Sequence, residues 1–583
     1  MSATIKNVED LCAFLGATYY TSSQRPVALK EYICIGTDLY QINSSETNWN
    51  STKKFQKSFN GVQINNSSNL GLLLHFVQEL DSQHSCLIFC PTKKNCEVTC
   101  ENLRKNLNIK TVERQNLLSA LEYVTGGVCQ ILKRSIPHGI AYHHAGMADD
   151  ERKTIEEGYL CGTINVLCCT STLAAGVNLP AYRVIIKSPK IGISTLTNVY
   201  YRQMIGRAGR PGLSEHGESI LMVQNSDKPL LDQLLVNDQI CCSAITNINE
   251  EELANIILFL YEANASFEKE TILNFFKRTL FYHQIAEEDT HKFLERLDNA
   301  FGILIDKNLV TEQNDSFKLT NIGMALNKSG LDIKTSQAVH QSLQNSMKNF
   351  VLSTDLHLVY ICTPNEIEAN INNFNDILRL ISTLNQAELD LLHATGLSEG
   401  LIYKCIQNTS SFKINGDLKL LFNKWFFTLL FYQVYRGRSI WEVSAQFEIS
   451  RGVVQHLSAS TVSNAYTIAR YTKEFKEFWQ ITLLLEEMAK KLSMVNNYEV
   501  MPLLEITSVK LARAKQLFKA GYKTVSDVAN AKVNDMIANI SHLSRRQAAS
   551  MISSAKLLIR EQVETLMEQA DEILERCKFT DID

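Results

Sequence analysis

The segment Thr170–Gly212, TSTLAAGVNLPAYRVIIKSPKIGISTLTNVYYRQMIGRAGRPG, constrains this chain more than any other. In its second half Gln203, Arg207 and Arg210 are spaced i, i+4, i+7, which predicts one stripe on a helix. Gly206 and Gly209 lie beside them. In a helix interior each glycine costs roughly 1 kcal/mol relative to alanine. A helix that keeps both needs bare backbone where something packs closely. Pro211-Gly212 then ends it. Two arginines on one face beside a gap suit a polyphosphate, because a guanidinium keeps its charge and offers forked donors. A solvated polar helix face explains the charges but not the glycines.

At 583 residues the chain holds several domains. Net charge is −4, which excludes a global basic field, so any nucleic-acid surface is local. The 15 cysteines include no C-x-x-C pair. Cys86, Cys90, Cys96 and Cys100 read as buried thiols with no accompanying ligand histidine, so no metal site is expected. Unpaired cysteines suit a reducing compartment, cytosol or nucleus. No signal peptide stands out and no apolar run is long enough to span a membrane.

Fold class reads as α/β, then mostly α. Residues 6–16 predict an amphipathic helix and 17–23 a strand; these are frayed, pack on the rest, or extend the next sheet. Residues 26–40 alternate as a strand, and the Ser/Asn-rich 42–69 reads as a mobile loop. Helix 70–80, the buried strand CLIFC at 86–90 and helix 93–106 form a strand–turn–helix unit. The strand ending in His143-His144 turns at Ala145-Gly146 into a helix. Neighbours on a strand face opposite ways, so the two histidines do not chelate together. Strands follow at 164–169, 183–187 and 219–223. From about 230 the pattern is helical, with a hairpin suggested over 316–325. LLFNKWFFTLLFYQVY is apolar nearly all round, which predicts a central buried helix. Residues 501–560 hold ten Lys or Arg and three Asp or Glu, a net of +7, which is an electrostatic footprint for a polyanion. The tail 561–583 has eight acids against two bases and reads as a solvated helix that shields the basic stretch.

The motifs carry a resemblance. QMIGRAGR resembles the sixth motif of superfamily 2 helicases, TSTLAAGVNLPA the fifth, and Met-Ser-Ala-Thr at 1–4 the third. With IAYHHAGM, the wording is similar to the helicase POLQ-like proteins and their archaeal relatives. The resemblance covers essentially the whole chain. It implies a remnant of a first RecA-like domain (1–25), a second RecA-like parallel-sheet domain (26–235), and a winged helix (236–333) acting as hinge and brace. A helical ratchet-type bundle (334–497), a helix–hairpin–helix domain (498–560) and the acidic tail (561–583) follow. It also implies that Arg207 and Arg210 are arginine fingers on ATP, with Gln203 coupling nucleotide to DNA. Gly176, Asn178 and Gly206 would lie near ATP, and Ser2 and Thr4 would couple hydrolysis to strand separation. Thr92, Lys93 and Thr172 would touch the DNA backbone, although Thr92 serves equally as a helix cap. His143-His144 would make a phosphate or coupling contact, or be structural. A strand-separating hairpin would lie in Ser188–Asn198, which looks short for one.

In the bundle, 451–480 is the segment expected to cross DNA, with Arg470 gripping backbone. Trp479 would stack a base, or, more in keeping with its type, be core. Lys510, Arg513, Arg545 and Arg546 would bind DNA through paired helix–hairpin–helix elements. The usual G-h-G of the first hairpin reads Ser508-Val509-Lys510, which weakens its phosphate nest.

Neither G-x-x-x-x-G-K-[ST] nor a D-E-x-H-type box occurs. The phosphate cradle and the Mg2+ ligands are therefore expected in a missing first RecA-like domain. The resemblance implies an ATP-dependent 3′-to-5′ DNA helicase in repair and fork recombination, in the nucleus. Its partners would be single-stranded or forked DNA, with single-strand-binding and recombination proteins. A non-catalytic DNA-binding adaptor and an RNA-directed relative are the alternatives.

Overall fold

Four short apolar runs in the first part of the chain, buried at every position, form four neighbouring strands of an eight-stranded sheet, because strands buried on both faces carry no polar alternation. The computed structural model describes residues 7–20, 27–42, 53–59, 70–81, 84–106, 112–125, 128–174, 176–209, 216–235, 240–261, 267–286, 289–313, 316–348, 354–365, 374–398, 400–403, 416–495, 501–507, 509–540 and 543–578. The chain divides into two compact units. The first is Met1–Gln341 with Ile440–His456 and Lys473–Lys476; the second is Ser342–Ser439 with Leu457–Thr472 and Glu477–Asp583.

In the first unit the strands are β1 (Ala28–Ile35), β2 (Asp38–Ile42), β3 (Lys53–Ser58), β4 (Cys86–Phe89), β5 (Ile140–His143), β6 (Val166–Cys169), β7 (Arg183–Ile186) and β10 (His216–Val223). A separate small ribbon pairs β8 (Lys190–Ile191) with β9 (Ser194–Thr195). The large sheet runs β3-β2-β1-β10-β7-β4-β6-β5. All pairs from β1 through β10, β7, β4 and β6 to β5 are parallel; β2 and β3 extend the edge antiparallel. This is the expected RecA-like parallel sheet with one addition. The stretch 26–40 is not one strand but a hairpin, turned at Gly36 with φ of +59°. The expected loop 42–69 contains β3, whose lysine-rich exposed edge discourages further strand pairing. Residues 43–52 and 60–69 lie outside the described residues.

The helix Val8–Leu15 has no buried residue, yet it is clasped. Asn7 Nδ2 donates to Cys241 O at 3.0 Å while Cys241 N donates back to Asn7 Oδ1 at 2.8 Å, and Gln284 Nε2 donates to Asp10 Oδ2 at 3.3 Å. It therefore packs on the following helical module rather than the sheet. Residues 17–20 form no strand, and 21–26 lie outside the described residues. That module has helices Glu250–Phe259, Lys269–Phe276 and Thr290–Asp306, then a three-stranded sheet of β11 (Phe267–Glu268), β13 (Ser316–Leu319) and β12 (Val310–Gln313). This is the winged-helix order. The wing is 310–319 rather than 316–325, because Thr320 caps a new helix, Asn321–Ser329.

In the second unit, helix Gly416–Tyr435 is buried nearly all round, as its composition predicts. Trp425 is wholly buried, stacks on Tyr360 at 4.6 Å between ring centroids, and donates Nε1 to Thr395 Oγ1 at 3.0 Å. Trp425→Ala is expected to destabilise this unit by about 3–5 kcal/mol, read as a shift in its urea midpoint. A shift under about 1 kcal/mol would show that the site collapses or was loosely packed.

His357 lies in the buried helix Leu356–Cys362, and burial pushes its imidazole down to about 4. Above the unfolded value of about 6.5 both states are neutral and nothing is lost. As pH falls through 6.5 the unfolded chain takes the proton first, so stability declines until about pH 4, by on the order of 3 kcal/mol. Urea midpoints of wild type and His357→Gln at pH 7 and pH 5 check this; equal pH dependence in the two rules it out.

The segment 451–480 is two helices, Arg451–Thr472 and Trp479–Val495, separated by a 3-10 turn at Lys476–Phe478. Further along, Leu503, Ile506, Leu517, Val528, Met536 and Met551 share one small core beneath short helices and the long helix Arg545–Lys578.

Candidate nucleotide site and nucleic-acid surface

The carboxyl ends of parallel strands form the rim where ligands sit in open α/β sheets. Here backbone bonds lace that rim together. Cys90 N donates to Cys169 O at 2.7 Å, Thr170 N to His143 O at 3.3 Å, and Lys187 N to Phe89 O at 3.0 Å. The turns after β4, β5, β6 and β7 are thereby held side by side.

After β6, Ser171–Ala174 makes a single 3-10 turn with Leu173 and Ala174 buried. Thr170 and Thr172 hydroxyls meet at 2.9 Å, and Thr172, Gly176 and Asn178 are exposed. Gly176 has φ of +87° with open space around its α-carbon, so backbone conformation alone requires glycine there.

The helix expected to carry the arginine stripe is shorter than its pattern. It spans Asn198–Ile205, capped by Thr197, and buries Tyr201, Met204 and Ile205. It ends at Gly206, so Gln203 is on the helix and Arg207 is past it. The chain then pairs with the segment before β7: Ala181 N donates to Arg207 O at 2.9 Å and Gly209 N to Ala181 O at 2.7 Å. These tertiary bonds take the backbone groups that further helix would use. Gly209 turns with φ of +99°, and a Cβ there would lie 2.9 Å from Val27. A Cβ on Gly217 would lie 2.4 Å from Gly209 N. Close packing does require bare backbone, but at a strand crossing, not a helix interior. Arg210, Pro211 and Gly212 lie outside the described residues, as do Ser2, Thr4 and Ser508.

Half-buried Arg207 folds back onto the loop after β6. Its Nε and Nη2 donate to Ala174 O at 3.1 and 2.7 Å. Burial pulls the guanidinium below its ordinary value, though it stays charged. Glu31 on β1, which the sequence did not single out, orients this helix: it is buried and takes Arg202 Nη1 at 3.3 Å.

Thr92 and Lys93 are exposed on the same rim. Thr92 Oγ1 accepts from Asn95 N at 3.1 Å, so Thr92 does cap its helix. Behind it Lys187, also unanticipated, donates to Asn95 Oδ1 and Thr99 Oγ1, each at 2.9 Å. Gly192 N donates to Pro91 O at 2.9 Å, setting the β8–β9 hairpin beside Thr92. Gly192 has φ of +60°, as the first position of a tight hairpin turn requires, and Ile193 at the tip is fully exposed.

The two histidines part as alternation predicts. His143 pairs with Glu156 at 2.8 Å and His144 with Glu97 at 3.2 Å. Both are buried; desolvation lowers His143.

In the second unit Arg470 is exposed. Trp479 is not core: it is 61% exposed, with Leu483 exposed one turn on. Lys510 is exposed and sits at the start of helix Leu511–Lys519, while Arg513 bonds Gln516 at 2.7 Å. Arg545 and Arg546 are exposed in the first turn after Ser544, which exchanges bonds with Gln547. Val509 is buried, the apolar centre of its turn.

Residues 112–212 match the Helicase conserved C-terminal domain, 217–311 a Helix-turn-helix domain, and 334–492 the DNA_pol_Q helicase like region helical domain. The chain is 36% identical to Helicase POLQ-like of Homo sapiens over 98% of its own length. It is 32% identical to Helicase POLQ-like of Drosophila melanogaster over 100%. This chain belongs to the POLQ-like helicase family. It spans 54% and 60% of the lengths of those two relatives. It is also 26% identical to the ATP-dependent DNA helicase Hel308 of Methanococcus vannielii, over 91% of this chain and 72% of the relative. The parallel sheet, winged helix and helical bundle follow the family's order along the chain.

Proposed function

We propose that this POLQ-like chain contributes one side of a composite ATP site, and a DNA track, to a 3′-to-5′ DNA helicase of repair and fork recombination in the nucleus. The observation that carries the reading is Arg207 bridging the Gln203 helix to the loop after β6 at the strand ends. Its Nη1 bonds to nothing among the described residues, which suits an incoming anion. In this reading Arg207 and Arg210 neutralise charge developing on the γ-phosphate. Gln203 couples nucleotide to DNA, and Gly176, Asn178 and Gly206 border the nucleotide. ATP fits this anion-seeking rim. The ligands of the Mg2+ that accompanies ATP would come from a first RecA-like domain, and no step here is routed through the metal. A phosphate cradle would come from a first RecA-like domain.

DNA backbone would run past Thr92, Lys93 and Thr172. The exposed apolar Ile193 suits a wedge between base pairs. Arg470, exposed Trp479 and the basic 501–560 module suit a departing single strand. The names of the relatives favour DNA over RNA. ATP hydrolysis with and without single-stranded DNA tests the reading, measured on residues 1–583 alone and on residues 1–583 supplied with the first RecA-like domain of a family relative. Stimulated turnover is expected only with that domain present. DNA binding without turnover in either would favour an adaptor, and stimulation by RNA alone an RNA-directed enzyme.

A further inference from the structure

The turn His143–Met147, at the end of β5, is seated on by the short segment Ile440–His456, all within the first unit. Glu151, fully buried in the helix Asp149–Leu160, meets Arg451 Nη2 at 2.7 Å. Glu151 Oε2 also accepts from Ala148 N at 3.0 Å, so the carboxylate is held from both sides. The Arg451 guanidinium lies over the Trp441 ring, 4.3 Å from its centroid. Next to it Gly452 N donates to Gly146 O at 3.1 Å. A Cβ on Gly452 would lie 2.4 Å from Ala145 O and 2.8 Å from Met147 O. Gln455 Oε1 accepts from Asp149 N at 3.0 Å.

The turn's other side belongs to the rim. Gly146 N donates to His144 Nδ1 at 3.1 Å, and His144 reaches Glu97 on the helix that Thr92 caps. An unbroken set of contacts therefore joins the first turn of helix Arg451–Thr472 to the rim. The same helix carries Arg470. A buried ion pair adds little net stability over an apolar pair, and its best-attested use is to specify one geometry. Glycine at 452 has the same meaning, since any side chain would lift the helix off the turn.

We propose that Arg451, Glu151 and Gly452 are positioning residues that tie helix Arg451–Thr472 to the rim, so that rim rearrangement during nucleotide turnover moves this helix. The proposal rests on the helicase reading above. None of the three touches nucleotide or DNA in it, so breaking the joint should uncouple rather than silence the motor.

The test uses residues 1–583 with the first RecA-like domain that the helicase reading requires, and ATP hydrolysis and duplex unwinding are measured in the same preparation. Arg451→Met and Gly452→Ala are expected to leave DNA-stimulated ATP turnover within its order of magnitude. Base pairs opened per ATP should fall roughly 5- to 100-fold, the range of a typical coupling free energy. Arg451→Lys, which keeps the charge without the fork, should give an intermediate ratio and guards against simple misfolding. Adding Glu151→Gln to Arg451→Met should cost nothing further, because the pair is already lost. Unchanged unwinding, or turnover and unwinding falling in parallel in both Arg451→Lys and Arg451→Met, would overturn the joint. If wild type hydrolyses no ATP, the helicase reading itself fails, and the joint with it.

Discussion

Arg207→Ala is expected to lower DNA-stimulated ATP turnover by the chain with its first RecA-like domain supplied roughly 10³- to 10⁵-fold, the range an arginine finger supplies in phosphoryl transfer. The structure supplies a competing role, since Arg207 also ties Ala174 to the end of its own helix. A tie to a neutral carbonyl contributes only about 1.5–3 kcal/mol, as a hydrogen bond from a charged group. Arg207→Lys separates the two roles. Lysine can still reach Ala174 O with one donor, but it offers a point charge in place of a fork. If transition-state charge is what matters, lysine leaves the thermal midpoint near wild type while turnover stays far down. A loss of turnover under about tenfold in Arg207→Ala, alongside a lowered midpoint, would reduce Arg207 to a structural tie.

The second large effect concerns the basic module. Replacing Lys510, Arg513, Arg545 and Arg546 together by alanine is expected to weaken single-stranded DNA binding by residues 1–583 on the order of 10²- to 10³-fold at 0.1 M salt. The magnitude follows from counterion release: each phosphate contact lowers the log–log salt slope by about 0.7, a factor of about five at that salt concentration. Arg545 and Arg546 are exposed in the first turn of their helix, where backbone N–H groups add to their charge. Arg513 is half-buried and bonded to Gln516, so it should contribute least of the four. Salt titrations with fluorescent oligonucleotides measure this. An unchanged slope would place the DNA contact elsewhere, with Arg470 and Trp479 the next residues to replace.

The strands and helices whose period is short and whose burial is complete are legible in residue order alone. CLIFC, INVLCC and RVIIK are apolar on both faces and could only be central strands. Helix Gly416–Tyr435 was equally plain. Structure departs from pattern where local spacing competes with a distant partner. Gln203, Arg207 and Arg210 have helical spacing, yet the helix stops because Ala181 captures the backbone on either side of Ala208. Trp479 is apolar enough for a core, but nothing in its own sequence neighbourhood shows that its face is left uncovered. Arg451 and Glu151 were invisible as a pair because 300 residues separate them and neither belongs to a motif.

The sequence by itself determined the order of modules, the spacing of Gln203, Arg207 and Arg210 and the charge imbalance of 501–560, since these depend on residue type and position alone. The tertiary structure decided where the Gln203 helix ends and what Gly209 and Gly217 are for. It also decided that Arg207 reaches back to Ala174, and that Arg451 and Gly452 lock a distant helix to the rim. Each of those depends on backbone groups brought together from separate parts of the chain, and hydrogen bonds and close contacts of that kind leave no periodic trace in the sequence.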